Sequence, residues 1–228
     1  MSTAVLQQID PQIEERARQT LGTSDSAIYQ MVADTLRERE INGGVLLDVG
    51  CGTGRFWSYI NEQFDRYIGI DCVRYEGFPV AGEFHRANLE TGQTDLPDNY
   101  ADVVVAVETI EHVENPWAFM RQLVRMVKPG GLVIVTTPNQ LNFLSLLTLI
   151  IKKRFASFQD VHYPAHLTAL LEIDLKRIAT ASGLDDVRIR FSGQGRIVLT
   201  PWHYPALLSR LFSRAFSDNV LVVGRRAK

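Results

Sequence analysis

Four short apolar segments limit the folds that are open to this chain. They are VLLDV (45–49), YIGI (67–70), ADVVVAV (101–107) and GLVIVTT (131–137). They are rich in β-branched residues and almost continuously apolar, as strands buried on both faces must be. Helical stretches such as RFWSYINEQF and WAFMRQLVRMV separate them. This alternation predicts an α/β protein with a parallel sheet.

Periodicity and turn residues predict the elements around these strands. The further elements are helices at 5–21, 28–36 and 167–181 and two closing strands at 187–192 and 219–225. With 228 residues and no Pro/Gly/Ser-rich linker, we expect one domain.

Composition narrows the class of function. The net charge is -2 and no long basic run is present, so we expect no nucleic-acid binding and favour a small or lipid-like substrate. The two cysteines, Cys51 and Cys72, have neither metal-ligand spacing nor a disulfide pattern. Acidic residues stand where a signal peptide needs an apolar core, so we expect a cytoplasmic protein with reduced thiols.

The strand ending at Asp48-Val49 runs directly into a glycine-rich turn, DVGCGTGRF, with glycines at 50, 52 and 54. Glycine allows a ligand to approach the backbone closely, and a following helix would offer free N–H groups. We therefore expect a nucleotide-like ligand here; the alternative is a turn without a ligand. The dinucleotide fingerprint needs glycine where Arg55 stands, which argues against NAD and FAD.

Asp71 ends the second strand, YIGID. An acid at this place can accept hydrogen bonds from both hydroxyls of a ribose. The alternative is that Asp71 is only the polar end of a strand. Its spacing from the glycine turn favours an adenosine-type ligand.

Taken in order, LLDVGCGTG, GID, ANLETGQTDLPDNYADVVVAVETIEHVENP and VKPGGLVIVTTPN resemble the motifs of class I S-adenosylmethionine-dependent methyltransferases, over roughly residues 44–190. The resemblance implies an α/β fold, a Rossmann-like three-layer α/β/α sandwich. Its sheet would be seven-stranded and mostly parallel, with an antiparallel last strand at 219–224. The chain would divide into an N-terminal helical cap (1–43), a cofactor-binding core (44–137), a lid or acceptor insertion (138–166) and a C-terminal helix with closing strands (167–228).

The same resemblance implies that S-adenosylmethionine is the cofactor. Asp48 and the backbone of Gly50 to Gly54 would hold its methionine part, Asp71 its ribose, and Asn88-Leu89 its adenine. Asn88 replaces the aspartate that is often found there, but an amide can also pair with the adenine edge; the alternative is a turn residue. The predicted cofactor-binding set is Asp48, Gly50, Cys51, Gly52, Gly54, Asp71, Cys72, Asn88, Leu89 and Glu108.

Two histidines are the predicted catalytic residues. Methyl transfer from a sulfonium depends mainly on alignment and exclusion of water, but a hydroxyl acceptor also needs a base. His112 follows the fourth strand, at the edge where α/β sheets bind ligands, and His166 precedes the late helix.

The stretch from Glu108 through Glu111 to His112 has the spacing E-x-x-E-H. It also resembles a pattern in some ubiquinone-biosynthesis and small-RNA 2′-O-methyltransferases, in which such residues and a later histidine bind a divalent metal. Carried over, Glu108, Glu111 and His112 would be ligands of Mg, Mn or Zn. Methyltransferases without metal carry similar pairs, so we favour the alternative that Glu111 and His112 cap and brace the loop.

Two apolar-basic stretches remain, at 141–158 and 204–216. The first is uninterrupted for only 11 residues, whereas a membrane span needs ~20. They would line an apolar pocket, rest on a membrane surface, or form a lid whose helices pack together. We favour the lid, because an amphipathic stripe usually faces a core.

These features together predict an O-directed methyltransferase that acts on a small-molecule or lipid-linked acceptor, such as a sugar, a quinone-like phenol or a lipid-linked glycan. The alternative is a non-catalytic, methyltransferase-like protein that binds the cofactor in a regulatory or scaffolding role. The oligomeric state is left open.

Overall fold

A computed structural model describes residues 9–20, 22–92, 94–198 and 200–228. The strands are β1 (Val45–Val49), β2 (Arg66–Asp71), β3 (Glu83–Arg86), β4 (Ala101–Ala106), β5 (Val127–Pro138), β6 (Leu184–Phe191) and β7 (Asn219–Arg226). The helices are α1 (Pro11–Gln19), α2 (Ser26–Glu38), α3 (Pro116–Met126), α4 (Phe143–Lys152), α5 (Glu172–Ala181) and α6 (Ala206–Leu211).

The seven strands form one sheet in the order β3-β2-β1-β4-β5-β7-β6. The pairs β3-β2, β2-β1, β1-β4 and β4-β5 are parallel. β7 lies between β5 and β6 and is antiparallel to both. The predicted mostly parallel sheet with an antiparallel last strand is therefore confirmed.

Helices and aromatic side chains cover both faces of the sheet. Alternate residues of a strand point to opposite faces, so Leu47 and Val104 pack with α3 and α5, whereas Leu46 and Val103 pack with α2. The predicted three-layer arrangement is confirmed.

The segment after the glycine turn differs from its predicted helix. RFWSYINEQF forms only a short 3-10 helix, Arg55–Tyr59, whose first turn begins after Gly54 without a side-chain cap. Phe56, Ile60 and Phe64 are buried against the sheet face, and the Trp57 ring stacks on Tyr67 with ring centroids 5.1 Å apart. Aromatic packing on the sheet therefore prevails over the helical periodicity of this segment.

The other helices have shifted ends. α1 covers part of the predicted 5–21 helix, of which residues 5–8 and 21 lie outside the described residues; Asp10 caps it and Pro11 occupies its first turn. α2 is longer than predicted because Asp25 caps it at Ser26. α5 begins at Glu172 rather than at 167.

The two apolar-basic stretches contain α4 and α6. Within the part of the chain that the structure describes, no helix has the length and apolar character needed to cross a membrane. The division into cap, core, insertion and closing element stays a prediction.

Candidate active site

A cavity of about 370 Å³ lies at the carboxyl ends of β1, β2 and β4, within the size range of small-molecule sites. Residues before α2 and the segment 161–166 cover it. The predicted site residues that line it are Asp48, Gly50, Cys51, Gly52, Asp71, Cys72, Leu89, Glu108, Glu111, His112 and His166. Gly54 and Asn88 are not among the residues that line it.

The glycine turn has its amides satisfied inside the protein. Gly52 has φ +52°, and its N–H donates to Asp71 Oδ2 at 2.9 Å. The other amides of residues 50–54 donate to the carbonyl oxygens of Ile70, Gly22 and Cys51. The turn itself therefore presents a tightly folded wall rather than a row of donors, and the expectation that the following helix offers free N–H groups stays a prediction.

Asp48, in β1 just before the glycine turn, has unused hydrogen-bonding capacity. Its Oδ2 accepts a bond from the Tyr67 hydroxyl at 2.6 Å, while Oδ1 is buried and has no partner among the described residues. Burial raises the pKa of Asp48 to about 7. An orphaned carboxylate oxygen in the cavity wall suits an ammonium donor, such as the α-ammonium group of S-adenosylmethionine.

Asp71 lies at the end of β2 and is 6% exposed. Its two oxygens accept bonds from the amides of Gly52 and Val73 at 2.9 and 3.2 Å. Burial raises its pKa. Each carboxylate oxygen keeps a second lone pair, so Asp71 can still accept bonds from hydroxyl groups in the cavity, and its role toward a ribose stays a prediction.

Asn88 and Gly54 have structural partners instead. Asn88 Oδ1 accepts a bond from the amide of Glu90 at 2.9 Å, as in the turn that was the alternative interpretation. A Cβ on Gly54 would overlap Pro79, so glycine at this position permits close packing of the next segment. Leu89 alone of the predicted adenine pair lines the cavity.

Glu108 follows β4 with φ +49°. Its carboxylate accepts bonds from the Thr136 hydroxyl and the Asn219 side-chain amide, each at 2.8 Å. Burial, and then the charge of Glu111, raises its pKa well above the ordinary value. Sequence reasoning missed Thr136 and Asn219, which the pairing of β5 with β7 brings together.

His112 and His166 lie next to each other, with ring centroids 4.8 Å apart. His112 Nδ1 bonds to the carbonyl of Ala165 at 2.7 Å, and His166 Nδ1 bonds to the carbonyl of Ser157 at 2.6 Å. A carbonyl only accepts, so each Nδ1 carries the proton and each Nε2 keeps a lone pair. Burial lowers the pKa of His112, and it lowers that of His166 to about 4 with help from the neighbouring His112.

Glu111 is fully buried beside these rings. Neither carboxylate oxygen has a partner among the described residues, and burial raises its pKa to about 8. Ligand atoms of Glu111, His112 and His166 all lie within 4.8 Å of one another. A carboxylate and two imidazole lone pairs fit a divalent metal.

The geometry can be compared with the two interpretations of E-x-x-E-H, a metal site and a brace of the loop. His112 does brace the insertion through Ala165, but the carboxylate of Glu111 has no such bond. Thr136 and Asn219 bond to the carboxylate of Glu108, and the residues that could hold a metal ion are Glu111, His112 and the later histidine, His166.

A third histidine, His162, was missed. Its ring stacks on His166 with centroids 5.5 Å apart, and its buried Nδ1 lacks a partner in the described chain. The two histidines four residues apart in VHYPAH were the available signal. Arg16 of α1 was also missed; it lines the cavity and pairs with Glu90 at 3.1 Å.

Comparison with known proteins agrees with this geometry. The sequence profile of a family described as "Methyltransferase domain" matches residues 26–189. A protein of Mycolicibacterium smegmatis named "Probable S-adenosylmethionine-dependent methyltransferase" is 26% identical over 84% of this chain and 70% of its own length. A ubiquinone biosynthesis O-methyltransferase of Rickettsia canadensis is 32% identical over 61% of this chain; the match spans 62% of that relative.

The fold is also found in solved structures. A SAM-dependent methyltransferase from Archaeoglobus fulgidus superposes with a TM-score of 0.62 at 19% identity, covering 95% of this chain and 100% of that one. The profile match spans well over half of the chain. The chain therefore belongs to the methyltransferase-domain family, among the class I proteins that use S-adenosylmethionine as their cofactor.

Proposed function

We propose that the protein transfers the methyl group of S-adenosylmethionine to a hydroxyl oxygen of a small-molecule or lipid-linked acceptor. The observation that carries the proposal is the contact of two imidazole rings, those of His112 and His166, in the wall of the cavity that the glycine turn also lines. A hydroxyl acceptor must lose a proton, and these neutral rings are the groups placed to take it. The relatives named as ubiquinone O-methyltransferases support an oxygen acceptor.

The chemistry divides simply between cofactor and protein. S-adenosylmethionine, which Asp48 and Asp71 would hold, would supply the methyl group, and its sulfur would be the leaving group. One histidine Nε2 takes the hydroxyl proton, while its Nδ1–H stays bonded to a backbone carbonyl, which fixes the ring orientation. The cavity wall would limit the access of water to the methyl group.

A second candidate is a metal-assisted form of this reaction, favoured by the orphaned carboxylate of Glu111. Glu111, His112 and His166 would hold the metal, which would act as a Lewis acid on the acceptor oxygen. Activity in excess EDTA, followed by addition of Mg²⁺, Mn²⁺ or Zn²⁺, tests it. Full activity in EDTA would exclude the metal.

The main test combines cofactor binding with turnover. Calorimetry measures S-adenosylmethionine binding, and labelled cofactor is then offered with pools of sugars, quinone-like phenols and lipid-linked glycans. We expect His112→Gln or His166→Gln to keep cofactor binding and to lower turnover roughly 10²–10⁴-fold for the residue that is the base. Since burial lowers both histidine pKa values, turnover should persist below about pH 6.5, the ordinary histidine value.

Binding without turnover in every pool would support the non-catalytic alternative. Near-parental turnover of both Gln variants would exclude histidine base catalysis.

A further inference from the structure

The two helices of the apolar-basic stretches expose their apolar side chains. Ser145 is the buried residue of α4, and Ser209 is that of α6. The large apolar side chains exposed on and beside these helices are Phe143, Leu146, Ile150, Ile151, Trp202, Leu207, Leu208, Leu211 and Phe212. A helix that packs on a core buries its apolar side. On these helices the large side chains named above stay exposed, although Leu144, Leu147 and Leu149 of α4 are part-buried. The lid that we favoured from the sequence therefore stays a prediction.

Both helices leave the same edge of the sheet. Pro138, the last residue of β5, pairs with Asn219, the first residue of β7. The amide of Phe143 donates to the carbonyl of Ala215 at 2.8 Å, which ties the start of α4 to the segment after α6. This edge carries the cavity, and the insertion that contains α4 also supplies His162 to the cavity wall. We call residues 143–154 and 202–212 the apolar-basic face.

The two segments that contain the apolar-basic face carry more positive charge than the rest of the molecule. Residues 139–171 and 192–217 contain six of the 24 Lys and Arg residues but one of the 26 Asp and Glu residues, in a chain with net charge -2. Three of the six have acidic partners: Arg154 with Asp160, Arg196 with Asp218, and Arg214 with Glu172.

The remaining cations, Lys152, Lys153 and Arg210, form no ion pair within the described residues. An acidic protein has thus concentrated uncompensated positive charge beside its exposed apolar side chains.

We propose that the apolar-basic face docks on the surface of a membrane that contains anionic lipids. Apolar side chains would enter the headgroup boundary while Lys152, Lys153 and Arg210 contact lipid phosphates. Pairing with a second copy through this face would bring like charges together, whereas an anionic surface neutralises them. The inference goes beyond the proposed reaction and does not depend on the acceptor, since docking is measured without turnover.

Vesicle sedimentation tests the proposal with the full chain. Phosphatidylcholine vesicles are compared with vesicles that also contain phosphatidylglycerol, and we expect stronger binding to the second kind. The double variant Lys152→Gln/Lys153→Gln should weaken that binding roughly 10–30-fold. Ile150→Ser/Ile151→Ser should weaken it about tenfold or more, because these side chains are 68% and 69% exposed and free to insert.

Matched controls lie elsewhere on the surface. Lys176→Gln/Arg177→Gln on α5 removes an exposed basic pair, and Val80→Ser removes an exposed aliphatic side chain; both should bind vesicles like the parent. Thermal melting and cofactor calorimetry check that every variant is folded.

Three outcomes would overturn the proposal. The parent does not sediment with the phosphatidylglycerol vesicles, or the face variants bind as the parent does. In the third, the parent forms a dimer that Ile150→Ser/Ile151→Ser abolishes while vesicle binding is absent, which would assign the face to a second copy.

Discussion

Glu111 provides a quantitative test of how the site is built. In the metal-free protein its buried carboxyl has no partner in the described residues, and burial raises its pKa from the ordinary 4.5 to about 8. Between these values the folded state holds a proton that the unfolded state has released, so stability falls as pH rises. Each tenfold change in the ionisation constant is worth about 1.36 kcal/mol, so the loss between pH 5 and pH 8 is at most roughly 3–4 kcal/mol.

Glu111→Gln keeps the side-chain size and removes the titration. Urea unfolding in excess EDTA, repeated from pH 5 to pH 8, measures the free energy of unfolding. We expect the variant to gain stability relative to the parent as pH rises, whereas Glu62→Gln, at an exposed position, should follow the parent. If the curves of Glu111→Gln and the parent stay parallel over this range, Glu111 does not have a raised pKa and the site assignment fails.

The remaining predictions concern cofactor binding, measured by calorimetry. Gly52→Val should weaken S-adenosylmethionine binding about tenfold or more, because a side chain at φ +52° would overlap the Gly22 carbonyl. Asp71→Ala should do the same by removing charge-assisted bonds worth ~1.5–3 kcal/mol; parental affinity of both would refute the cofactor site. Since the pKa of Asp48 is about 7, affinity should fall up to about tenfold per pH unit below that value. Asp48→Asn should abolish this dependence, and a parent that binds equally at pH 6 and pH 8 would contradict it.

Local patterns were enough to predict an α/β protein with a parallel sheet, and the resemblance to methyltransferases added its three layers. Strands such as β4, buried on both faces, must be apolar throughout, and the glycine turn after β1 is specified by residues adjacent in the chain. The order of the strands and the glycine turn along the chain could therefore be predicted from the sequence. The location of Asp48, Asp71 and His112 at the carboxyl edge of the sheet could also be predicted, because the carboxyl ends of parallel strands lie at one edge.

Packing between distant segments decided the rest. The helix predicted at 55–64 became a short 3-10 helix because its aromatic residues pack on a sheet face that local periodicity does not describe. The glycine turn is held in place by a segment far along the chain, because the carbonyl of Gly22 accepts a bond from the amide of Thr53.

The chemical state of the site is also a tertiary property. By itself, the sequence determined the type of sheet, and it pointed to the glycine turn and to His112 and His166, which line one cavity. Only the tertiary structure decided that Thr136 and Asn219 satisfy Glu108 while Glu111 is left without a partner, and that α4 and α6 expose their apolar sides. Burial and hydrogen-bond satisfaction depend on residues far apart in the chain, so no local pattern encodes them.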